Sequence, residues 1–257
     1  MRLNLVQYNP VWEDKKANKN SLIKLISEHY AEYPAENSVI ILPELTLSGF
    51  TMKSKDFAEV LMGDSFKFFT GIAQNYKTHI IAGLIEKAED QFYNTLIHIN
   101  PSGELVNSYR KIHPFSYSNE HMYYSRGNKP VITEINGWKV GLSVCYDLRF
   151  PELYRYYGKE RAELIIIIAN WPDSRIAQWR TLLSARAIEN QCYVAAVNRV
   201  GDYLNLHYNG YSSIFDPLGN ELAALPDKEK IISADITKDN VEQVRAKFPF
   251  LDDIFLI

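Results

Sequence analysis

Cys145 stands where an apolar run stops. Val140 to Val144 precede it, and Tyr146, Asp147, Leu148, Arg149 and then Glu152-Leu-Tyr-Arg-Tyr-Tyr157 follow. An apolar run broken by a polar, helix-forming stretch reads as a buried strand, a sharp turn and a helix. A side chain at such a corner projects over the sheet end. The backbone N–H groups just beyond it open a helix and lack internal partners. They suit a developing negative charge, so a thiol there is placed as a nucleophile with an oxyanion site beside it. Cys192 is the control. It lies within Gln191-Cys-Tyr-Val-Ala-Ala-Val197, has no polar turn after it, and reads as core.

A thiol nucleophile needs a base and a stabiliser for the oxyanion. Two polar residues occupy positions like that of Cys145. Glu44 ends the apolar strand Val39 to Leu42, and Lys111 ends the strand Leu105 to Arg110. Side chains at strand ends of mixed sheets converge on one crevice, however far apart in the chain. A histidine base is the competing arrangement, with His113 or His121 paired to Cys145. The six histidines otherwise read as loop or surface residues. No His/Cys/Asp cluster has metal-ligand spacing, so neither a metal nor another cofactor is expected.

The elements that must position these groups follow from the pattern. Leu3 to Tyr8 alternates as a strand. Asp14 caps a helix whose apolar face is Leu22, Ile26, Tyr30 and Tyr33. Phe66, Phe69, Ile72, Ala73 and Tyr76 mark a second helix, and Ile80 to Ile85 another strand. Hairpins flank Asn100-Pro-Ser-Gly103 and Asn136-Gly137, with an ordered loop from Pro114 to Pro130 between them. After Cys145 come a strand at Leu164 to Ala169 and a helix at Ile176 to Asn190 with Trp179, Leu182, Leu183 and Ala187 inward. Strands at Tyr193 to Asn198, Ser212 to Asp216 and Ile231 to Ile236 and a helix at Asn240 to Lys247 complete the chain. Strands alternating with helices, plus hairpins, predict an α/β fold of two mixed sheets with helices outside. Ile99-Asn-Pro-Ser-Gly-Glu104 echoes Phe215-Asp-Pro-Leu-Gly-Asn-Glu221, and each follows a β-α-β-α-β series, which hints at two similar halves.

The 257 residues carry no Pro/Gly/Ser linker or low-complexity stretch, so one domain over residues 1–257 is expected. A net charge of −3 makes no case for nucleic acid. No apolar run has membrane-spanning length, and the N-terminus reads as a strand rather than a signal peptide. Two cysteines in unlike contexts do not suggest a disulfide framework, so a soluble, cytoplasmic, reduced protein is expected. The tail, Phe248-Pro-Phe-Leu251 and Ile254-Phe-Leu-Ile257, is too apolar to hang in water and is expected to pack on this domain or on a second subunit.

Three stretches, Leu42-Pro-Glu-Leu-Thr-Leu-Ser-Gly-Phe50, Tyr109-Arg-Lys-Ile-His113 and Val144-Cys-Tyr-Asp-Leu-Arg-Phe-Pro-Glu152, resemble in order the signatures of the nitrilase (carbon–nitrogen hydrolase) superfamily. Ala169-Asn-Trp-Pro172, Ala185-Arg-Ala-Ile-Glu-Asn-Gln191 and Val197-Asn-Arg-Val-Gly201 resemble its bacterial omega-amidase branch. The resemblance implies a four-layer α-β-β-α sandwich of two mixed β-sheets and a homodimer or larger homo-oligomer. It also implies a Glu-Lys-Cys triad. Glu44 matches the base, Lys111 the oxyanion lysine and Cys145 the nucleophile, with the Tyr146 backbone N–H as second oxyanion donor. Glu120, in Ser118-Asn-Glu-His-Met122, matches the second glutamate.

Omega-amidases act on terminal amides of short 2-oxo dicarboxylic acid monoamides. The small-molecule substrate's carboxylate calls for a cation. Arg149, Arg175 and Arg199 are the candidates, with Trp171 and Tyr117 as pocket walls. Other amides, carbamoyl compounds and nitriles fit the same triad. A catalytically silent interaction protein is the reading of a different class. Replacing Cys145 by Ala is expected to abolish turnover, whereas Cys192→Ala leaves most of it. Equal losses in a steady-state assay would mean that the wrong thiol had been named.

Overall fold

The computed structural model describes residues 1–33 and 35–255. Its centre is made by short runs with apolar residues on both faces. Leu164-Ile-Ile-Ile-Ile-Ala169 is the extreme case, buried along its whole length. Burying each isoleucine there is worth roughly 1.5–3 kcal/mol relative to leaving it exposed. Only a strand covered on both sides can use such a run.

Among the described residues, thirteen strands form two mixed sheets. In the first, β1 (Arg2–Gln7), β2 (Ser38–Ile41) and β3 (His79–Ala88) run parallel. They are flanked antiparallel by β13 (Lys230–Asp235) on one side and by β4 (Gln91–Ile99) then β5 (Leu105–Arg110) on the other. In the second, β7 (Trp138–Val144), β8 (Leu164–Ala169) and β9 (Tyr193–Asn198) run parallel. β6 (Ile132–Ile135) flanks β7, and β11 (Leu206–Phe215) flanks β9 and also pairs with β10 (Val200–Tyr203) and β12 (Glu221–Pro226).

Helices α1 (Lys15–Glu32) and α3 (Asp64–Tyr76) lie on the outer face of the first sheet, where Leu22, Ile26, Phe66 and Phe69 pack on Val6, Ile40 and Ile80. A short helix α2 (Ser54–Phe57) precedes α3. Helices α4 (Pro151–Lys159) and α5 (Ile176–Asn190) cover the second sheet, and α6 (Lys238–Lys247) follows β13. The alternate residues Leu3, Leu5, Val39 and Ile41 point inward and share one core with Val140, Leu142 and Val144 of the opposite sheet. The result is the four-layer α-β-β-α sandwich expected from the motifs.

The echo between the halves extends to atomic detail. The turn from β4 to β5 bonds Asn100 N to Glu104 O and Gly103 N to Asn100 O. The turn from β11 to β12 bonds Asp216 N to Asn220 O and Gly219 N to Asp216 O. Both glycines have positive φ, +87° and +82°, which explains why glycine recurs at that step.

Several expectations need correction. Tyr33 lies past the end of α1 and is exposed. Cys145 is followed by a 3₁₀ turn, Cys145–Arg149, and the α-helix starts only at Pro151, whose ring favours the first helical turn. The loop from Pro114 to Pro130 holds two further 3₁₀ turns. The β10–β11 hairpin and the turn at Glu89 were missed because neither carries a strong turn dipeptide. In the tail, Leu251 is buried but Phe250 and Phe255 are exposed; Leu256 and Ile257 lie outside the described residues. Among the described residues no helix is long and apolar enough to cross a membrane.

Two histidines read as surface residues are buried instead. His79 Nδ1 and His98 Nε2 lie 2.9 Å apart, and His98 Nδ1 lies 2.7 Å from Thr133 Oγ1. His79 Nε2 meets Asn136 Oδ1 at 3.0 Å, so the pair ties the first sheet to the β6–β7 hairpin of the second. Burial pushes the basicity of both rings down, His98 to about 3 with help from its neighbour. The unfolded rings bind protons near pH 6.5, so the stability of the neutral pair is present above that pH and is lost as pH falls towards 3. Each differential proton contributes about 1.4 kcal/mol per pH unit. Urea midpoints from pH 7 to pH 4 are therefore expected to fall less steeply in His98→Gln than in the wild type. Parallel curves would exclude the pair as the titrating group.

Candidate active site

The parallel strands of both sheets deliver their carboxyl ends to one edge of the sandwich. Glu44 comes three residues after β2, Lys111 one residue after β5, Cys145 one after β7 and Asn170 one after β8. Asn94, three residues into β4, reaches the same edge because β4 runs the opposite way.

The groups meet in a buried network. Lys111 Nζ donates to Glu44 Oε1 at 2.8 Å and to Glu120 Oε1 and Oε2 at 3.1 and 2.9 Å. Asn94 Nδ2 donates to Glu44 Oε1 at 2.7 Å and Glu120 Oε1 at 3.0 Å. Glu44 Oε2 accepts from the Asn170 backbone N–H at 2.9 Å, and Phe115 N–H donates to Glu120 Oε2. Asn170 also reaches the thiol, since its carbonyl oxygen lies 4.0 Å from Cys145 Sγ. Thus Glu44, Lys111, Glu120 and Cys145 are brought together.

Burial alone would discharge Lys111, but the charges of Glu120 and Glu44 outweigh it and hold its ammonium well above the ordinary lysine range. Burial, reinforced by the charge of Glu44 against the pull of Lys111, lifts the Cys145 thiol. Burial also raises Glu120, with Glu44 adding to the effect and Lys111 opposing it. The resting sulfur is therefore a protonated thiol beside a carboxylate.

Local backbone explains the aim of each side chain. Cys145 has φ +50°, a left-handed conformation costing a non-glycine residue about 1–3 kcal/mol. Asp147, fully buried, holds that corner by accepting from Val144 N, Tyr109 OH, and both N and Nδ1 of His113. It therefore clamps the residues around Lys111, on one sheet, to the Cys145 turn on the other. Gly83 leaves room for the Glu44 turn: a Cβ there would lie 2.5 Å from Leu45 N and 3.0 Å from Glu44 Cα.

Cys145, 9 % exposed, opens onto a cavity of about 570 Å³. Glu44, Lys111 and Glu120 lie buried behind its wall. Tyr146, Trp171, Arg149 and Arg175 line it. Arg149 lies over the Trp171 ring and Arg175 over the Phe115 ring. Neither guanidinium has a carboxylate partner among the described residues. Tyr117 is a correction: it is 85 % exposed and does not line the cavity, whose wall has its neighbours Phe115 and Ser118 instead. Arg199 is a second correction, since it is buried beneath Tyr208 and bonded to Asn9. The histidine alternative finds no contact: among the described residues the Cys145 thiol meets the Asn170 carbonyl and the charges of Glu44, Lys111 and Glu120 but no imidazole, while His113 stacks on Phe150 and His121 is exposed.

Residues 2–246 match the family described as carbon-nitrogen hydrolase. The chain belongs to that family. This carbon–nitrogen hydrolase is similar to the 2-oxoglutaramate amidase of Bacillus subtilis, 35% identical over 89% of each chain. It is equally similar to an omega-amidase of Escherichia coli K12, 35% identical over 98% of this chain and 96% of that one. A solved carbon–nitrogen hydrolase superfamily protein from Xanthomonas campestris, with an arsenic adduct in its active site, superposes with a TM-score of 0.93. It is 34% identical, covering 100% of this chain and 98% of the other.

Asn94 and Asn170 were missed from the sequence. Asn170 follows a buried strand just as Cys145 does, so its position could have flagged it. Asn94 carries no such mark. Gly83→Ala is expected to push the Glu44 turn outward and cut kcat/KM at least tenfold with the circular dichroism spectrum unchanged, because misplacements of about 1 Å cost up to about 10²-fold. Gly71→Ala is the control, with nothing within 4 Å of its Cβ position; equal activity in both variants would remove Gly83 from the account.

Proposed function

We propose that this carbon–nitrogen hydrolase removes ammonia from the terminal carboxamide of short 2-oxo dicarboxylic acid monoamides, such as 2-oxoglutaramate and 2-oxosuccinamate. The observation that carries the reading is a pair of guanidinia, Arg149 and Arg175, without carboxylate partners among the described residues, on the wall of the cavity that the Cys145 thiol enters. A substrate carboxylate suits such a wall, where a charged hydrogen bond contributes roughly 1.5–3 kcal/mol. The relatives named 2-oxoglutaramate amidase and omega-amidase support the same acyl group.

The chemistry follows from the protonated thiol. Glu44 takes the proton of Cys145 as the sulfur attacks the amide carbon. The tetrahedral oxyanion is met by the Lys111 ammonium and the Tyr146 backbone N–H. Protonated Glu44 passes its proton to the departing ammonia as the C–N bond breaks and leaves a thioester. Glu44 then deprotonates a water molecule, which attacks the thioester, releases the dicarboxylate and returns the thiol. A placed base supplies about 10²–10⁴-fold and an oxyanion donor roughly 3–4 kcal/mol. Glu120 keeps Lys111 charged and in position. A homo-oligomer belongs to the same proposal.

The test is a panel comparing 2-oxoglutaramate and 2-oxosuccinamate with nitriles, carbamoyl amino acids and simple aliphatic amides. The 2-oxo monoamides should give the highest kcat/KM, and Arg175→Met should raise their KM about tenfold or more without a like effect on an uncharged amide. A preference for a nitrile or carbamoyl compound would displace the reading.

A further inference from the structure

One donor in the buried network belongs to no motif. Asn94 is almost fully buried, and its Nδ2 lies 2.7 Å from Glu44 Oε1 and 3.0 Å from Glu120 Oε1. Those are the two oxygens that Lys111 Nζ also reaches. The two carboxylates are therefore bridged twice, once by an ammonium and once by a neutral amide. Rotating the amide by 180° would set a carbonyl oxygen against two carboxylates, so the donor assignment is fixed by chemistry. Its own Oδ1 is buried and meets no donor among the described residues. The donors of this side chain are committed to the two acids.

The charges explain the need. One ammonium faces two carboxylates in a dry site. Like charges in such a site are relieved by taking up a proton. A proton on Glu44 would disable the base. We infer that Asn94 is a positioning residue whose two N–H bonds, shared between Glu44 and Glu120, keep Glu44 free to accept the thiol proton. The inference rests on Glu44 being the base of the proposed reaction.

The surrounding groups allow a clean readout. Lys111 stays charged, and Cys145, Tyr124 and Tyr208, whose charges act on the pair or on Glu44, are all shifted upward, chiefly by burial in the three neutral groups. His113 and Asp147 at the Cys145 turn and Glu13 on the cavity wall also face the site, but an Asn94 substitution leaves their contacts in place, so the displacement of the acid limb of the kcat/KM profile between variant and wild type reports the carboxylate pair. Asn94→Leu, close in volume but without donors, is expected to move that limb up by one pH unit or more. It should lose at least tenfold at pH 6 and recover towards wild-type activity at high pH. Asn94→Ser, which keeps one donor, should shift it less in the same direction.

Any carboxamide that the enzyme turns over serves, so a wrong acyl group does not decide the matter. In the unmodified protein, the Asn94 side-chain amide resonances should move with the midpoint of the acid limb. A limb that stays in place while activity falls evenly at all pH values would overturn the inference, as would amide resonances that ignore the limb. Glu44→Gln separates the two levels: if it keeps turnover, the base is misassigned, and the position of the limb in the Asn94 variants no longer bears on Glu44.

Discussion

A lysine ammonium held out of water is the constraint on which the rest depends. Lys111 is almost wholly buried, and an ion in that position costs many kcal/mol unless partners replace its hydration. Glu44 and Glu120 do so at 2.8 to 3.1 Å. Burial, reinforced by the charge of Glu44, keeps the neighbouring sulfur protonated. The chemistry is thereby set as proton transfer during attack rather than as a standing thiolate.

The fold serves this cluster by bringing strand ends together. Neither sheet holds a complete site. The first supplies Glu44, Asn94 and Lys111, and the second supplies Cys145 and Asn170. Asp147 and the His79–His98 pair are polar ties across the same interface, each fully bonded where an unsatisfied group would be costly.

What could be read from the sequence follows from what local pattern encodes. Cys145, Glu44 and Lys111 each sit where an apolar run breaks, and that break is visible without coordinates. Cys192 lacks it and is fully buried, with burial pushing its thiol up to about 12. The α5 helix and β9 were bounded correctly because Trp179, Leu183 and Ala187 keep helical spacing and Tyr193 to Val197 is an unbroken apolar run. Asn94, Tyr117 and Arg199 were not legible. Their roles depend on which neighbour a side chain meets across the sheet or loop. His79 and His98 looked like surface residues because their partners, Thr133 and Asn136, lie far along the chain.

The division of the site between two layers limits how the protein tolerates heat. Base and sulfur belong to different slabs, so a shear of about 1 Å between the slabs separates them, enough to cost up to about 10²-fold in rate. Neither slab has to melt for this to happen. Shear of this kind would silence the enzyme while its strands and helices are still intact, and the Asp147 bonds to Tyr109, His113 and Val144 are among the ties that oppose it.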